Sequence, residues 1–325
     1  MQAVICRAYD GPDALEVGEF EDPAPGPGEI LVEVHAAAVS FADTLMVAGR
    51  YQMRPETPFV PGTDAAGVVR EVGAGVTRFR SGDRVACTRF SGALGELMVV
   101  GEWEAFPIPD GIDFEAAASL PYAYGTAYYA LVERARLRRG ETVFVSGAAG
   151  GVGLAVLDLA RHFGARVIAG IGADDKVALV RAYGAAETIN YRTESLRDRI
   201  KSMTDGAGVD VCVEVVGGEI FDHMTRLMGW EGRLMPIGFA SGTIPSVPMN
   251  LPLLKNYSIV GVFYGAWSRR DPQGTARMFG ILMGLLADGA IRPYVQHVMP
   301  LKRVREALRA IADRSVQGRI VLKVR

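Results

Sequence analysis

The chain has few cysteines, no long hydrophobic run and no excess of charge of either sign. Its 325 residues include three cysteines, and 35 basic residues stand against 37 acidic ones. Cys6, Cys87 and Cys212 are far apart and form no CxxC pair, which argues against a disulfide framework and a cysteine-rich zinc site. The balanced charge gives no electrostatic reason to expect nucleic acid or an anionic membrane as a partner.

No apolar stretch approaches the roughly 18 residues that a membrane-spanning helix needs. The apolar stretch over residues 1–6 is also too short for a signal peptide. We therefore expect a soluble, cytoplasmic protein that does not associate with membranes. With 49% hydrophobic residues, the chain is long enough for about two domains of roughly 150 residues, each with its own core.

The two halves of the chain differ in their hydrophobic pattern. Up to about residue 120, short alternating runs such as Leu31–Ala36 and Val68–Gly73 lie between Gly and Pro turns, which predicts a β-barrel-like unit. Beyond Thr142, apolar strand runs alternate with helical patterns, which predicts a doubly wound parallel sheet. The strand runs are Val143–Val145, Arg166–Ala169, Glu187–Tyr191, Val209–Val215, Gly232–Ile237 and Ile259–Phe263. Two amphipathic helices near 273–288 and 301–313 and a strand over 319–323 follow.

A glycine-rich turn between a strand and a helix, SGAAGGVG at residues 146–153, gives the strongest chemical signal. This context is typical of a dinucleotide site, with Ala148 in place of the usual first glycine. Gly150 would let the backbone approach a pyrophosphate, and Gly153 would let the helix pack closely on the sheet. The residues expected to line the phosphates are Ala149, Gly150, Gly151 and Val152, where the bare amides of the helix favour an anion.

The end of the second strand indicates which dinucleotide binds. An NAD-specific protein usually places an acid there, whereas this strand ends at Gly172 without a carboxylate. Lys176 and Tyr191 lie within reach of a ribose 2′-phosphate. Asp174 and Asp175 would disfavour that phosphate, unless their role is to cap the next helix. The pattern favours NADPH.

Several motifs spread over nearly the whole chain point in the same direction. They are Val60–Val69, Ala118–Pro121, Gly125–Ala127, Gly140–Gly153, Ile189–Tyr191 and Gln317–Leu322. Together they resemble the zinc-free, ζ-crystallin-like quinone oxidoreductases of the medium-chain dehydrogenase/reductase superfamily. The resemblance implies an α/β fold, with a Rossmann domain over residues 122–263 and a GroES-like β-barrel catalytic domain built from 1–121 and a return segment, 264–325. The chain departs from the family pattern at Ser40 (usually Asn), Leu45 (often Tyr) and Asp158 (usually Gln).

The same resemblance bears on metal binding. The zinc ligands of alcohol dehydrogenases in this superfamily correspond to Ser40 and to the pair Thr63-Asp64, and no other Cys or His is spaced to rebuild a tetrahedral site. Without a Lewis acid an alkoxide has nothing to stabilise it, so an electron-poor acceptor is favoured over an alcohol. We therefore expect an NADPH:quinone reductase-type enzyme without a metal, acting on a small-molecule quinone or enone.

Individual roles follow from the resemblance. Ser40 and Tyr51 would line the acceptor site, where Tyr51 could donate a hydrogen bond to a carbonyl oxygen, and Asp43 would order the loop. Thr126 would lie beside the nicotinamide, and Arg314 would lie near the adenosine phosphate. Further cofactor contacts are expected at the ends of the last two strands of the sheet, namely Gly238, Phe239, Phe263 and Tyr264.

Two other functions remain open at this point. The first is an enoyl or alkenal reductase acting on α,β-unsaturated carbonyls, which requires the same dry hydride site. The second is a crystallin-like or RNA-binding protein without catalysis, which the intact glycine turn and the balanced charge disfavour. Because the last strand of the sheet, Tyr257–Phe263, is apolar and lies at an edge, we also expect a homodimer formed through it.

The assignment of Lys176 to the 2′-phosphate is testable. Lys176→Ala should raise the Michaelis constant for NADPH much more than that for NADH, because only NADPH carries the phosphate that the ammonium group would bind. Steady-state kinetics with both cofactors measure the effect. Equal changes for the two cofactors would remove Lys176 from the phosphate site.

Overall fold

The computed structural model describes residues 1–325, which divide into two compact units. The first unit contains residues 1–123 and 268–325, and the second contains residues 124–267. None of the helices combines the length and the apolar character that a bilayer-spanning segment requires.

The strands in chain order are β1 (Gln2–Ile5), β2 (Glu16–Glu19), β3 (Glu29–Val39), β4 (Asp64–Val72), β5 (Arg84–Thr88), β6 (Leu97–Gly101), β7 (Ala105–Pro107), β8 (Thr142–Val145), β9 (Arg166–Ile171), β10 (Glu187–Asn190), β11 (Val209–Glu214), β12 (Met228–Pro236), β13 (Ser258–Ile259), β14 (Val295–Pro300) and β15 (Arg319–Lys323).

The α-helices are α1 (Phe41–Val47), α2 (Phe114–Ser119), α3 (Pro121–Tyr128), α4 (Gly151–His162), α5 (Val177–Ala182), α6 (Leu196–Met203), α7 (Gly218–Leu227), α8 (Asn250–Lys255), α9 (Tyr264–Arg270), α10 (Pro272–Ala287) and α11 (Val304–Ala312). A π-helical turn over Tyr129–Arg134 follows α3, and single 3-10 turns occur at Pro12–Ala14, Glu102–Glu104, Asp174–Lys176 and Leu301–Arg303.

The first unit is built on a seven-stranded sheet in the order β14-β15-β3-β4-β5-β7, with β6 also paired to β3. All its pairs are antiparallel except β14 with β15. The strand β3 is long and mostly buried because it pairs on both sides, with β15 and β6 along one edge and β4 along the other. The last strand of the chain therefore completes a sheet that the first hundred residues begin.

A buried ion pair connects two strands of this sheet. Arg319, at the start of β15, donates from Nη2 to Oδ2 of Asp64, at the start of β4, over 2.7 Å. Asp64 is 0% and Arg319 is 5% exposed. The same carboxylate oxygen also accepts a hydrogen bond from the backbone N–H of Tyr122 at 3.2 Å. A charge buried this deeply is tolerated only when it is paired and hydrogen-bonded.

The second unit contains a six-stranded, wholly parallel sheet in the order β10-β9-β8-β11-β12-β13. Numbered within the unit, this is the 3-2-1-4-5-6 order of a doubly wound dinucleotide-binding domain. The predicted doubly wound parallel sheet is confirmed. Strands such as β8, β9 and β11 are almost continuously apolar because helices cover both faces of a parallel sheet.

The last strand of this sheet is shorter than the sequence indicates. The apolar run Ile259–Phe263 predicts five strand residues, but β13 ends at Ile259 and Tyr264 already begins α9. The neighbouring strand β12 ends at Pro236, which has no N–H to donate, so the ladder cannot continue beyond this point. Tyr264 is therefore a helix residue and does not end a strand.

Asp158, one of the departures from the family pattern, has two partners in the structure. Its Oδ2 accepts a hydrogen bond from Tyr124 Oη at 2.9 Å, and its Oδ1 accepts one from Arg161 Nη2 at the same distance. The side chain is 1% exposed. A carboxylate is accommodated here because Arg161, one helical turn later, supplies the compensating charge.

The ion pair of the first unit gives a prediction for stability. Arg319→Ala leaves Asp64 buried without its counter-charge and should lower the free energy of unfolding by about 3–5 kcal/mol. Arg325→Ala is the matched control, since Arg325 pairs with Glu33 at 3.0 Å at the exposed end of the sheet. It should cost less than about 1 kcal/mol. Urea unfolding measures both variants, and equal losses would contradict the assignment.

Candidate active site

The glycine-rich turn leads directly from β8 into α4. Gly147 has φ of +56°, a conformation that glycine adopts readily. Ala148 donates its N–H to the carbonyl of Gly170 on β9 at 3.0 Å, and Gly150 donates to the carbonyl of Gly147 at the same distance. The turn is thus tight, and hydrogen bonds hold it against the neighbouring strand.

The N-terminus of α4 has no side-chain cap. Its N-cap residue is Gly150, and its first turn contains no acidic residue. The first amides of a helix have no acceptor within the helix, so here they remain available to an anion, and the helix dipole adds to the attraction. A Cβ placed on Gly150 would meet only the carbonyl oxygen of Gly147, at 3.4 Å. The space in front of this glycine is open, as the approach of a pyrophosphate requires.

Gly153 serves a different purpose. A Cβ there would lie 2.5 Å from the carbonyl oxygen of Gly147 and 2.7 Å from the backbone of Ala148. The first turn of α4 therefore packs directly on the glycine-rich turn itself, and only a residue without a side chain fits.

The carboxyl ends of β9 and β10 bring several polar groups together. A Cβ on Gly172 would lie 3.2 Å from Tyr191 Oη and 3.5 Å from Arg192 Nε. Lys176 lies in the short 3-10 turn that follows β9. The sequence pattern did not indicate Arg192, although it follows Tyr191 directly and the carboxyl ends of parallel strands share one edge. Two cationic side chains, Lys176 and Arg192, and the phenol of Tyr191 therefore lie near the end of β9.

Asp174 does not cap the following helix. Its Oδ1 accepts a hydrogen bond from Asn190 Nδ2 at 2.7 Å, and no side chain caps either the 3-10 turn or α5. The alternative of a capping role is thus wrong for Asp174. Its carboxylate instead ties the turn after β9 to the end of β10.

The loops that follow β11 and β12 are hydrogen-bonded to each other. Ala240 donates to the carbonyl of Val215 at 3.1 Å, and Ser241 donates to that of Val216 at 2.7 Å. Gly238 and Phe239 belong to the second of these loops, and Phe239 is 36% exposed. The carboxyl edge of the sheet thus carries nine of the sequence-indicated positions, namely Ala149, Gly150, Gly151, Val152, Gly172, Lys176, Tyr191, Gly238 and Phe239.

The remaining cofactor positions lie elsewhere in the chain. Thr126 is buried in α3, Phe263 is 46% exposed, and Tyr264 is buried at the start of α9. Arg314, with φ of +58°, belongs to the first unit and follows α11 on the surface.

In the first unit, Ser40 and Asp43 form a capping box at the N-terminus of α1. Oδ2 of Asp43 accepts hydrogen bonds from the backbone N–H of Ser40 at 2.7 Å and from its hydroxyl at 2.8 Å. Asp43 is fully buried, and this burial raises the pKa of its carboxyl above the usual value. The hydroxyl proton of Ser40 is committed to Asp43, so Ser40 offers a lone pair to other groups.

Polar atoms remain without partners near this box. Oδ1 of Asp43, Oγ1 of Thr63, Oδ1 of Asp64 and Nε of Arg319 are buried and have no hydrogen-bond partner. Burial raises the pKa of Asp64 from 3.8 to about 7, although the Arg319 guanidinium opposes the shift. The folded protein therefore binds this proton more tightly than the unfolded chain, and Asp64 contributes less stability as the pH rises through that window. The sequence pattern did not indicate the Asp64–Arg319 pair, since both residues lie in apolar strands.

Tyr51 is half-buried, and its ring stacks on Phe90 with 6.0 Å between centroids. Burial, together with the negative charge of Asp43, raises the pKa of its phenol above 10. The hydroxyl is therefore protonated at neutral pH, and it can donate a hydrogen bond to a ligand oxygen.

The donor set in this region does not fit a zinc ion. Among the described residues 1–325, no three His, Cys, Asp or Glu side chains are grouped to hold a metal. Ser40 and Thr63 carry hydroxyls, which are poor zinc ligands, and Asp64 is paired with Arg319.

Two family models match this chain. The model described as "Zinc-binding dehydrogenase" matches residues 151–279, and the model described as "Alcohol dehydrogenase GroES-like domain" matches residues 26–110. The second match supports the GroES-like fold expected for the catalytic domain, while the parallel sheet of the second unit is Rossmann-like.

Three relatives show how far the similarity extends. Quinone oxidoreductase-like protein 2 homolog of Nematostella vectensis is 39% identical over 328 residues, with 100% of this chain and 89% of that protein covered. Quinone oxidoreductase of Rattus norvegicus is 33% identical, with coverage of 99% and 97%. The crystal structure of Escherichia coli quinone oxidoreductase complexed with NADPH has a TM-score of 0.91 at 29% identity, and the match covers 100% of both chains.

The two glycines of the turn predict different outcomes for the same substitution. Gly153→Ala should lower the free energy of unfolding by about 1–3 kcal/mol, because the added methyl group forces the turn away from α4. Gly150→Ala should change stability by less than about 1 kcal/mol, since nothing opposes its Cβ, but should weaken dinucleotide binding about tenfold. Thermal unfolding and calorimetric titration separate the two. Wild-type affinity in Gly150→Ala would place the pyrophosphate elsewhere.

Proposed function

Because this chain belongs to the quinone oxidoreductase group of the medium-chain dehydrogenase/reductase family, we propose that it reduces a quinone or a similar electron-poor acceptor and needs no zinc ion. It is an oxidoreductase, and its cofactor is NADPH, which the Escherichia coli enzyme binds in its crystal structure. The observation that carries the proposal is the uncapped N-terminus of α4, which lies where the strand order of the sheet reverses.

NADPH, when bound, supplies the hydride, and the residues of this chain bind and orient it. The amides of Gly151 and Val152 would hold the pyrophosphate. Lys176, Tyr191 and Arg192 would hold the 2′-phosphate at the end of β9, because a phosphate there needs cations and hydrogen-bond donors. No carboxylate stands at Gly172 itself, and the carboxylate of Asp174, which follows it, accepts a hydrogen bond from Asn190.

The hydrogen bonds of the two buried carboxylates near Ser40 support a reaction that does not need zinc. Oδ2 of Asp43 accepts a hydrogen bond from Ser40, and Oδ2 of Asp64 is paired with Arg319, so one oxygen of each carboxylate is already held within the protein. Without a Lewis acid, hydride transfer proceeds best to an acceptor that delocalises the resulting charge over its own conjugated system. A quinone has this property, whereas a simple ketone does not.

We assign the orientation of the acceptor to Tyr51 and Ser40. Tyr51 keeps its proton at neutral pH, so its hydroxyl would donate to an oxygen of the acceptor. Ser40 would accept a hydrogen bond, since its own proton is directed to Asp43. These groups position the acceptor, and no nucleophile or catalytic triad is required for the reaction.

The function is tested by following NADPH oxidation with a panel of acceptors. The panel contains a simple quinone, a 2-alkenal and an enoyl thioester, together with a primary alcohol offered with NADP⁺. We expect rapid turnover with the quinone and none with the alcohol, and chelator treatment should leave the rate unchanged. A strong preference for the alkenal or the thioester would identify an enoyl reductase, and activity restored by added zinc would refute the metal-free reaction.

We also propose that the chain forms a homodimer through the edge of the parallel sheet. β13 is the last strand of that sheet and leaves one edge unpaired. Apolar side chains are exposed around it, with Ile259 at 39%, Phe263 at 46% and Leu253 at 76%. An unpaired apolar edge of this kind is usually covered, and a second copy related by a two-fold axis would cover both edges at once.

The proposed dimer predicts that a lysine introduced at the edge of the parallel sheet prevents assembly, whereas a lysine at the edge of the other sheet does not. Ile259→Lys should yield a monomer, because the charge would be buried at the shared edge. The matched control is Val298→Lys, which changes a side chain 50% exposed on β14, an edge strand of the first unit. Sedimentation velocity at micromolar concentration measures the assembly. A monomeric wild-type chain, or dissociation by the control alone, would contradict this interface.

A further inference from the structure

A buried carboxylate lies at the point where the strand order of the parallel sheet reverses. Glu214 is the last residue of β11, and Ser146 directly follows β8 on the adjacent strand. Both side chains are 0% exposed. In doubly wound sheets this switch point opens the crevice in which a ligand binds. The sequence pattern treats Glu214 as an ordinary strand residue.

Three donors surround the carboxylate. Oε1 accepts hydrogen bonds from the Ser146 hydroxyl at 2.5 Å and from the N–H of Val216 at 3.0 Å, and Oε2 accepts one from the N–H of Gly217 at 2.7 Å. The Ser146 oxygen in turn accepts a hydrogen bond from the N–H of Val215 at 2.9 Å. The network joins the glycine-rich turn to every residue of the loop 215–217.

The loop 215–217 contacts the glycine-rich turn on one side and the loop that follows β12 on the other. A Cβ on Gly147 would meet Cγ2 of Val215 at 2.9 Å, so the loop packs tightly on the glycine-rich turn. On its other side the loop accepts hydrogen bonds from Ala240 and Ser241, in the segment that carries Gly238 and Phe239. A shift of the loop would therefore displace both walls of the crevice.

We propose that Glu214 is a positioning residue for NADPH, which holds the loop 215–217 against the glycine-rich turn and so sets the shape of the crevice. The inference rests on the proposed function, because it assumes that the dinucleotide binds at this edge of the sheet. Glu214 acts through Ser146 and the loop amides, which are its direct partners.

The ionised form is required because a carboxylate offers acceptors only, whereas its protonated form places an O–H against one of the donors. Burial raises the pKa of Glu214 above its usual value, so acidification reaches this group before most surface carboxylates. Cys212, on the same strand, is a titratable neighbour of Glu214, and burial raises the pKa of that thiol well above its usual value, which keeps it neutral.

Glu214→Gln mimics the protonated acid. Its amide oxygen can replace Oε1 for Ser146 and Val216, while its NH₂ group would face the N–H of Gly217, where two donors meet. Losing a hydrogen bond to a charged group should weaken cofactor binding about tenfold. Because the wild type takes on the same defect in acid, the ratio of the two dissociation constants should fall towards one as the pH decreases.

The experiment is an equilibrium titration with NADP⁺ from neutral to acidic pH, since the oxidised dinucleotide survives in acid. Titration of its own phosphate cancels in the ratio of variant to wild type. Glu219→Gln removes the same charge from an exposed position in the first turn of α7 and should bind like the wild type at every pH. Ser146→Ala provides a milder variant and should weaken binding about threefold or more while keeping the pH dependence of the wild type.

A ratio near one at neutral pH would overturn the inference, and so would a ratio that stays constant as the pH falls, because the effect would then not depend on the ionised carboxylate. If Glu214→Gln fails to fold, wild-type affinity in Ser146→Ala would overturn it instead. A wild-type chain that binds no NADP⁺ would refute the proposed function itself. Binding by the wild type with unchanged affinity in the variants would refute only the role of Glu214.

Discussion

The amides at the start of α4 must stay unsatisfied by the protein, and much of the second unit follows from this requirement. A helix can leave them bare only if its N-terminal residues carry no capping side chain, and Gly150 and the acid-free first turn meet this condition. The bare end must also be rigid. Gly153 packs it onto the turn, and Ala148 ties the turn to β9.

Buried carboxylates recur in both units, and each has its own set of donors. Asp43 is held by Ser40, Asp64 by Arg319, Asp158 by Tyr124 and Arg161, and Glu214 by the loop that follows it. An unpaired buried charge is costly, so these partners restrict the positions that the surrounding loops can adopt. The polar groups near the proposed cofactor and acceptor positions are consequently fixed before any ligand binds, which reduces the ordering that binding must otherwise provide.

Local patterns predicted the architecture well. The strands of the second unit were predictable because a buried parallel strand is a short apolar run. The glycine-rich turn was predictable because contacts within eleven residues fix the spacing of its glycines. Contacts between residues that are far apart in the sequence leave no local pattern from which they could be predicted. Asp64 and Arg319 are 255 positions apart, and Arg192 and Glu214 acquire their importance only from neighbouring strands. The apolar run predicts a longer β13 than the structure contains, because the limit lies in the neighbouring strand, at Pro236, and leaves no sign in the run itself.

The ion pair between β4 and β15 also bears on the order in which the chain folds during synthesis. The ribosome releases Asp64 long before Arg319, whereas residues 124–267 form their own compact unit within one continuous stretch. The second unit can therefore complete its core first, as domains generally fold in turn during translation. The first unit must keep the strand edge of β3 and the carboxylate of Asp64 in contact with water until β15 emerges. Its nascent sheet thus presents an unpaired strand edge for most of synthesis, a feature that favours aggregation.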